Sequence, residues 1–286
     1  MDVPGFALIT GAASGIGKAY ATTFASDGAA GIALLDVNQD ALMEVKSQID
    51  KRQSELGRKP CRVEVHTVDV ANEDQVNQTV EEVTQTFGRL DYVVNAAGIS
   101  MKHEGGAAFA KTADWKRIVD INLTGTFFVL RAAARIMLNQ EPILSSIDGR
   151  PLQRGSIVNF GSIQAVVGVP MSTAYTATKH GVLGLTRTAS EDYAKDGLRI
   201  NAVCPGYTET PMTTASPLIL QAMTERVATA VPMQRMGRPQ EIADGVVCLC
   251  GVSLWRPQLF RDWHRTFRRR RIHRTLKQKS RGHNIS

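Results

Sequence analysis

Apolar, strand-like runs alternate with helix-period segments along this chain at intervals of about 30 residues, and that alternation limits what it can fold into. Gly5–Thr10 (GFALIT), Gly31–Asp36 (GIALLD), Arg62–Val68 (RVEVHTV), Leu90–Asn95 (LDYVVN), Ser156–Phe160 (SIVNF) and Arg199–Val203 (RINAV) read as six strands. Gly15–Asp27, a segment capped by Asn38, Glu73–Phe87, Asp114–Asn139 and Tyr175–Asp196 read as helices. Leu42, Val45 and Ile49 show the helical spacing after Asn38. Repeated strand–helix units imply parallel strands joined by right-handed crossovers. The expected fold is α/β, a doubly wound parallel sheet in a single domain covering residues 1–250. Its ligands belong at the carboxyl ends of the strands. Asn139–Gly155 reads as a polar surface loop. Pro205–Pro239 is long, with little strand pattern, and reads as a lid near the site.

Composition removes other classes. The 286 residues are 43% apolar and 21% charged, which excludes a disordered or collagen-like chain. No uninterrupted apolar run approaches the ~18 residues of a membrane span, and no membrane partner is expected. A strand-like run begins within five residues of the N-terminus, which leaves no room for a secretory signal. Cys61, Cys204, Cys248 and Cys250 are too few and too scattered for a disulfide framework and lack zinc spacing. The six histidines lack metal spacing too, so no metal is expected, and a reducing, cytoplasmic setting is. No Gly-x-Ser-x-Gly elbow of a hydrolase occurs.

The net charge of +7 is unevenly spread. Residues 251–286 hold 11 of the 34 Lys and Arg but one of the 27 Asp and Glu. The first 250 residues are therefore mildly acidic, at −3. The basic character describes a tail and not the body.

The first strand runs into Thr10-Gly11-Ala12-Ala13-Ser14-Gly15-Ile16-Gly17. Glycines there allow a sharp turn and close backbone approach, and the helix that follows offers free N–H groups to a phosphate. Alone, such a turn also serves as a plain strand–helix connection. Asp36 strengthens the ligand reading, because it ends the second strand 19 residues after Gly17. An acid there accepts from the ribose hydroxyls of NAD and repels the extra phosphate of NADP. Val37 follows it and no Lys or Arg lies in the glycine turn, so NAD is favoured over NADP.

Taken together, Thr10–Gly17, Asn95-Ala96-Ala97-Gly98, Tyr175-x-x-x-Lys179 and Pro205-Gly206 resemble the motifs of the short-chain dehydrogenase/reductase family. The resemblance runs from about residue 5 to 250, with the motifs in family order, and implies a Rossmann-type sheet. Thr173–Lys179 and Pro205–Met212 are similar in wording to fungal members, which suggests secondary metabolism. The family implies an NAD(P)-dependent oxidoreductase that interconverts a secondary alcohol and a ketone. A complete chain is then expected to form a homodimer or homotetramer.

Tyr175 and Lys179 lie four apart in a helical segment and share a face. A nearby cation lowers the pKa of a phenol, which points to Tyr175 as general acid/base and Lys179 as its tuner. The resemblance adds that Lys179 also holds the nicotinamide ribose. Ser162, 13 residues before Tyr175, matches the family's catalytic serine, a donor to the substrate oxygen. Asn122 matches an asparagine that organises a water-linked proton relay; a helix asparagine can also bond within its own turn. Asp69 and Val70 match the pair at the adenine, and Asn95, Ala96 and Gly98 the fourth strand end beside the cofactor. Thr208 and Thr210 match positions that hold the carboxamide. Thr10, Gly11, Ser14, Gly15, Ile16 and Gly17 complete the cofactor set, and Gln164, Met171, Tyr207 and Met212 are the expected substrate-pocket wall.

The resemblance stops near residue 250. Family members close their sheet with a seventh strand ending in a Val-Asp-Gly-Gly-type turn. Here that place is taken by Gly251–Ser286, with four successive arginines at Arg268–Arg271. One reading is a working tail for nuclear import or nucleic acid attached to a catalytically impaired body. The other is a shifted reading frame. Asp262–Arg274 (DWHRTFRRRRIHR) can be written in codons that, read one base later, give the 12 residues Ile-Gly-Thr-Gly-Leu-Ser-Val-Asp-Gly-Gly-Tyr-Thr. That matches the missing ending, so a frame-shifted or mis-spliced tail is the expectation and a nucleic-acid partner is disfavoured.

Overall fold

The computed structural model describes residues 5–251 apart from 58–59, 145–147 and 216. The chain opens with β1 (Phe6–Thr10), α1 (Gly15–Ser26), β2 (Gly31–Asp36), α2 (Gln39–Glu55), β3 (Arg62–Thr67), α3 (Glu73–Phe87) and β4 (Tyr92–Asn95). It continues through α4 (Thr112–Val119), α5 (Thr126–Asn139), β5 (Ile143–Leu144), β6 (Pro151–Gln153) and β7 (Gly155–Phe160). It ends with α6 (Thr173–Tyr193), β8 (Leu198–Val203), α7 (Pro211–Thr214), α8 (Pro217–Ala230) and α9 (Pro239–Gly251).

Six strands form one parallel sheet in the order β3-β2-β1-β4-β7-β8. Parallel strands are covered on both faces, which is why β1, β2 and β4 read as nearly unbroken apolar runs. Alternate residues feed two cores. Ile9, Ile32, Leu34 and Phe160 pack with Tyr20, Phe24, Leu42 and Val246 on one face. Leu8, Leu35, Val93 and Ile157 pack with Val76, Val80, Val83 and Val129 on the other. A buried polar chain ties the middle of the sheet to α6: Asn95 donates to Asn159 (2.8 Å), and Asn159 donates to Thr186 Oγ1 (3.0 Å).

Local signals set the helix starts. Asn38 and Asn72 cap α2 and α3 by accepting from Ala41 and Gln75. Ser14 stands at the start of α1 without a side-chain cap, so that helix turns uncapped N–H groups toward the carboxyl edge of the sheet. The chain reverses its winding direction between β1 and β4, and a crevice opens there.

The structure refines three expectations. Asp114–Asn139 lies in one helix, Thr112–Asn139, within which Asp120–Gly125 widens into a π-helical turn between α4 and α5. The stretch Thr112–Asn139 is, by mean hydropathy of 1.3 and length, compatible with a membrane span, but half of the apolar window is buried in the protein, as a core helix would be. Asn139–Gly155 is not purely loop, since β5 and β6 pair there as a short antiparallel ribbon. Pro205–Pro239 holds two helices, α7 and α8, because Thr210-Pro211 and Pro217 each supply a helix start. Among the described residues β8 is an outer strand; the expectations about a seventh strand and the basic tail lie outside the described residues.

Candidate active site

A cavity of about 1240 Å³ lies along the carboxyl edge of the sheet at the β1/β4 crevice. Its floor at one end is the glycine turn. A Cβ on Gly17 would lie 2.1 Å from the Gly11 carbonyl oxygen, and Gly11 has φ +66°, so neither position accepts a side chain. The same close packing points the start of α1 into the cavity, beside Ser14, Gly15 and Ile16. Asp36 is held at the lip by accepting from Ala13 N–H and Asn38 N–H, both at 3.2 Å. Asp69 and Val70 line the cavity next to it; Asp69 Oδ1 accepts from Ala71 N–H at 2.9 Å.

Ala96 and Gly98 line the middle of the cavity. Thr10 and Asn95 do not. Thr10 Oγ1 accepts from Ala97 N–H at 3.1 Å, and Asn95 bonds Asn159, so both act behind the wall by fixing the strand ends. Asn122 is fully buried in the π-helical turn. Its amide does not bond within its own turn. It accepts from Ile99 N–H and donates to Ile99 O, both at 2.8 Å, and it reaches Thr178 Oγ1 at 3.4 Å. The π-turn thereby clamps the backbone just after Gly98.

Ser162, Tyr175 and Lys179 meet at the centre. Lys179 is buried and donates to the Phe160 carbonyl at 2.7 Å, and its ammonium sits 5.6 Å from the centroid of the Tyr175 ring. Burial pushes its pKa down to about 8, so the amine still carries its charge at neutral pH. The Ser162 hydroxyl lies close enough to the Tyr175 phenol to lower its pKa. Ser162 Oγ in turn accepts from Gln164 N–H at 3.1 Å. The expected lowering of the phenol by Lys179 is not what this geometry gives. Burial is the largest influence and raises the Tyr175 pKa; the Ser162 hydroxyl opposes it. The Lys179 cation is engaged by Phe160 instead of the phenol oxygen.

The far wall comes from the 205–213 segment. Thr208 is buried and pairs with Gly237, and Thr210 and Thr213 form a reciprocal capping box at the start of α7. Thr208, Thr210, Tyr207 and Met212 line the cavity there, facing Gln164 and Met171. Met171 holds a left-handed backbone (φ +62°), and its carbonyl accepts from His103 N–H at 2.8 Å. The sequence reading did not single out Ile99, Lys102, Met223 or Arg226 as wall residues; their loops and helices reach the cavity through tertiary packing that no local motif announces. Cys204 packs behind Gly161, where an added Cβ would stand 2.7 Å from its sulfur. Among the described residues no cluster of His, Cys, Asp and Glu could hold a metal ion.

Comparison with known proteins shows the family of the chain. A family model described as enoyl-(acyl carrier protein) reductase matches residues 11–253. A short-chain dehydrogenase of Aspergillus ruber, fogB, is 38% identical over 251 residues, covering 87% of this chain and 91% of the relative. The 3-oxoacyl-[acyl-carrier-protein] reductase FabG of Thermotoga maritima is 36% identical, covering 85% and 88%. The crystal structure of levodione reductase superposes with a TM-score of 0.76 at 33% identity, over 86% of this chain and 90% of that one. The chain belongs to the short-chain dehydrogenase/reductase family. It is an oxidoreductase of that family, whose members use NAD(P), act on small molecules and are typically oligomeric.

The buried Lys179 sets a stability prediction. Its folded pKa, about 8, lies below the ordinary lysine value, so between the two the unfolded chain binds more protons and this group's contribution to stability rises with pH. Lys179→Met removes the buried cation. Its melting temperature should meet or exceed the wild type's at neutral pH. The difference in unfolding free energy should then move in favour of the wild type, by up to roughly 3 kcal/mol, as pH rises through that window. Denaturant titrations of both proteins across pH check this; a difference independent of pH contradicts it.

Proposed function

We propose that this chain transfers hydride between a nicotinamide dinucleotide and the carbinol or carbonyl carbon of a secondary alcohol or ketone. The observation that carries the reading is the convergence of Ser162, Tyr175 and the buried Lys179 ammonium in one cavity that a glycine turn opens. The cavity residues fit a dinucleotide. The uncapped α1 start and the glycines at 11, 15 and 17 suit a pyrophosphate, and Asp36 suits an adenosine ribose. Thr208 and Thr210, which line the same cavity, would hold a carboxamide, and Lys179 a second ribose. When bound, the dinucleotide supplies or accepts the hydride at C4 of its nicotinamide.

The chain's own residues handle the proton and the developing charge. In the reducing direction the ketone oxygen accepts from Ser162 and Tyr175. As hydride reaches the carbonyl carbon, charge collects on that oxygen, and the Tyr175 phenol gives up its proton to complete the alcohol. Ser162 stabilises the same oxygen and is itself positioned by Gln164 N–H. Lys179 supplies a fixed positive charge 5.6 Å from the centre of the ring that carries the phenolate so formed. Asn122 acts as a positioning residue through Ile99.

NAD is favoured over NADP. The charged groups on the cavity wall at the glycine-turn end are Asp36 and Asp69, both acidic, and Val37 is exposed beside them. We place the enzyme in the cytoplasm, in secondary metabolism, working as a homodimer or homotetramer. We also propose that the basic segment from about Asp262 is a frame-shifted reading of a family-type ending.

Three outcomes test these readings. Tyr175→Phe should cut turnover by roughly 10³-fold while NADH affinity stays within a few-fold, measured by steady-state kinetics and fluorescence titration. Surviving turnover would remove Tyr175 from the mechanism. Asp36→Ala should shift the NAD/NADP preference toward NADP by at least about tenfold in kcat/KM; an unchanged ratio argues against Asp36 as the discriminator. Sequencing the transcript across the codons for Leu249–Arg274 should show the Val-Asp-Gly-Gly reading in frame, and the arginine run in frame would refute the shift.

A further inference from the structure

The charges along the cavity wall are segregated. At the glycine-turn end the wall carries Asp36 and Asp69. The contribution of α4 is mixed, with Lys116, Arg117 and Asp120. Beyond Tyr175 and Lys179, the wall built from residues 98–102, 161–172 and 205–226 holds two charged side chains, Lys102 and Arg226, and both are cations.

Neither cation is committed elsewhere among the described residues: no acidic partner within ion-pair distance is found for Lys102 or Arg226. Glu225, next to Arg226, is instead engaged with Gln221 on the same helix (3.3 Å). Lys102 is set beside the substrate wall by the adjoining His103 N–H, which donates to the Met171 carbonyl at 2.8 Å. Arg226 follows Met223 by three residues on α8, so the two share a helix face, and both reach the cavity. Both cations are exposed, so they stand where the wall meets solvent.

Most of the other side chains of that wall are apolar. Met171, Met212 and Met223 contribute to it together with Ile163, Val169 and Tyr207. Thioether side chains adapt to varied apolar shapes. A cation left without a partner at the mouth of an apolar cavity gains most from a ligand anion, since charge-assisted bonds there are stronger than neutral ones.

We propose that the substrate is an apolar ketone or alcohol carrying an anionic group remote from its reacting carbon. Lys102 and Arg226 bind the anion, and the three methionines bind the apolar body. This rests on the oxidoreductase reading for the location of the reacting carbon. The anion is a carboxylate on the substrate itself or a phosphate on a carrier to which an acyl chain is attached; the shared chemistry is an anion at the end of an apolar chain.

The NADH-loaded full chain tests this with 7-oxooctanoate and 11-oxododecanoate, each against its methyl ester. Binding is read by calorimetry and reduction by loss of NADH. The acid should exceed its ester at least about tenfold in affinity at one chain length, and rising salt should shrink the advantage. In Lys102→Gln/Arg226→Gln the acid-to-ester ratio should fall to within about twofold, with the loss appearing in KM. A 3-oxoacyl chain on phosphopantetheine, against the same chain on dephosphorylated pantetheine, separates a carrier phosphate from a substrate carboxylate. Equal binding of charged and neutral members in both sets overturns the proposal, as does a preference that survives in the double variant. The esters being reduced without any charge preference would overturn the anion site alone. Charge-selective binding with no reduction of any ketone would overturn the oxidoreductase mechanism and leave the anion site standing.

Discussion

The centre of the cavity depends on one cation kept out of water. Lys179 is buried, and the Phe160 carbonyl at 2.7 Å is its hydrogen-bond acceptor. That bond joins the last residue of β7 to the middle of α6. Tyr175 lies one turn before Lys179 on the same face, and Ser162 lies two residues past Phe160. Fixing the ammonium against the strand end therefore also fixes the distance between the serine hydroxyl and the phenol. Desolvation makes the charge costly, which is why its pKa falls to about 8. The structure keeps a destabilising group at the place where the proposed reaction calls for a fixed charge, a common pattern at active sites.

The opposite end of the cavity depends on sterics. Gly17 packs against the Gly11 carbonyl so closely that even a methyl group has no room. That contact sets the angle at which α1 leaves β1 and directs its uncapped N–H groups along the sheet edge. Asp36 and Asp69 line this cavity on the glycine-turn side, and Lys102 and Arg226 line it on the walls from residues 98–102 and 205–226. Between them, Asn122 holds Ile99 through two 2.8 Å bonds and keeps the wall continuous.

Much of this was legible in the sequence because it follows from local periodicity. Six apolar runs became the six strands of the main sheet in the expected parallel arrangement, and Asn38 capped the helix it was expected to cap. The motifs around Gly11, Ser162 and Tyr175 were legible as a set and converge on one cavity. Other features depend on distant partners. The π-turn at Asp120–Gly125 leaves the apolar spacing of Asp114–Asn139 nearly intact, so periodicity read one helix. Asn122 bonds a residue 23 positions earlier, which no helical pattern specifies. The spacing of Tyr175 and Lys179 brings the two groups together but does not reveal that the Phe160 carbonyl accepts from Lys179 or that burial raises the Tyr175 pKa. Lys102 and Arg226, more than a hundred residues apart, share a cavity only once the fold is formed.

The most direct test of the central claim follows the hydrogen itself. NADH carrying deuterium at both C4 positions is incubated with the full chain and a ketone, and the alcohol is examined by mass spectrometry and NMR. One deuterium is expected at the carbinol carbon, with the hydroxyl proton drawn from solvent. A product without deuterium at that carbon while the ketone is consumed would contradict direct hydride transfer in this cavity.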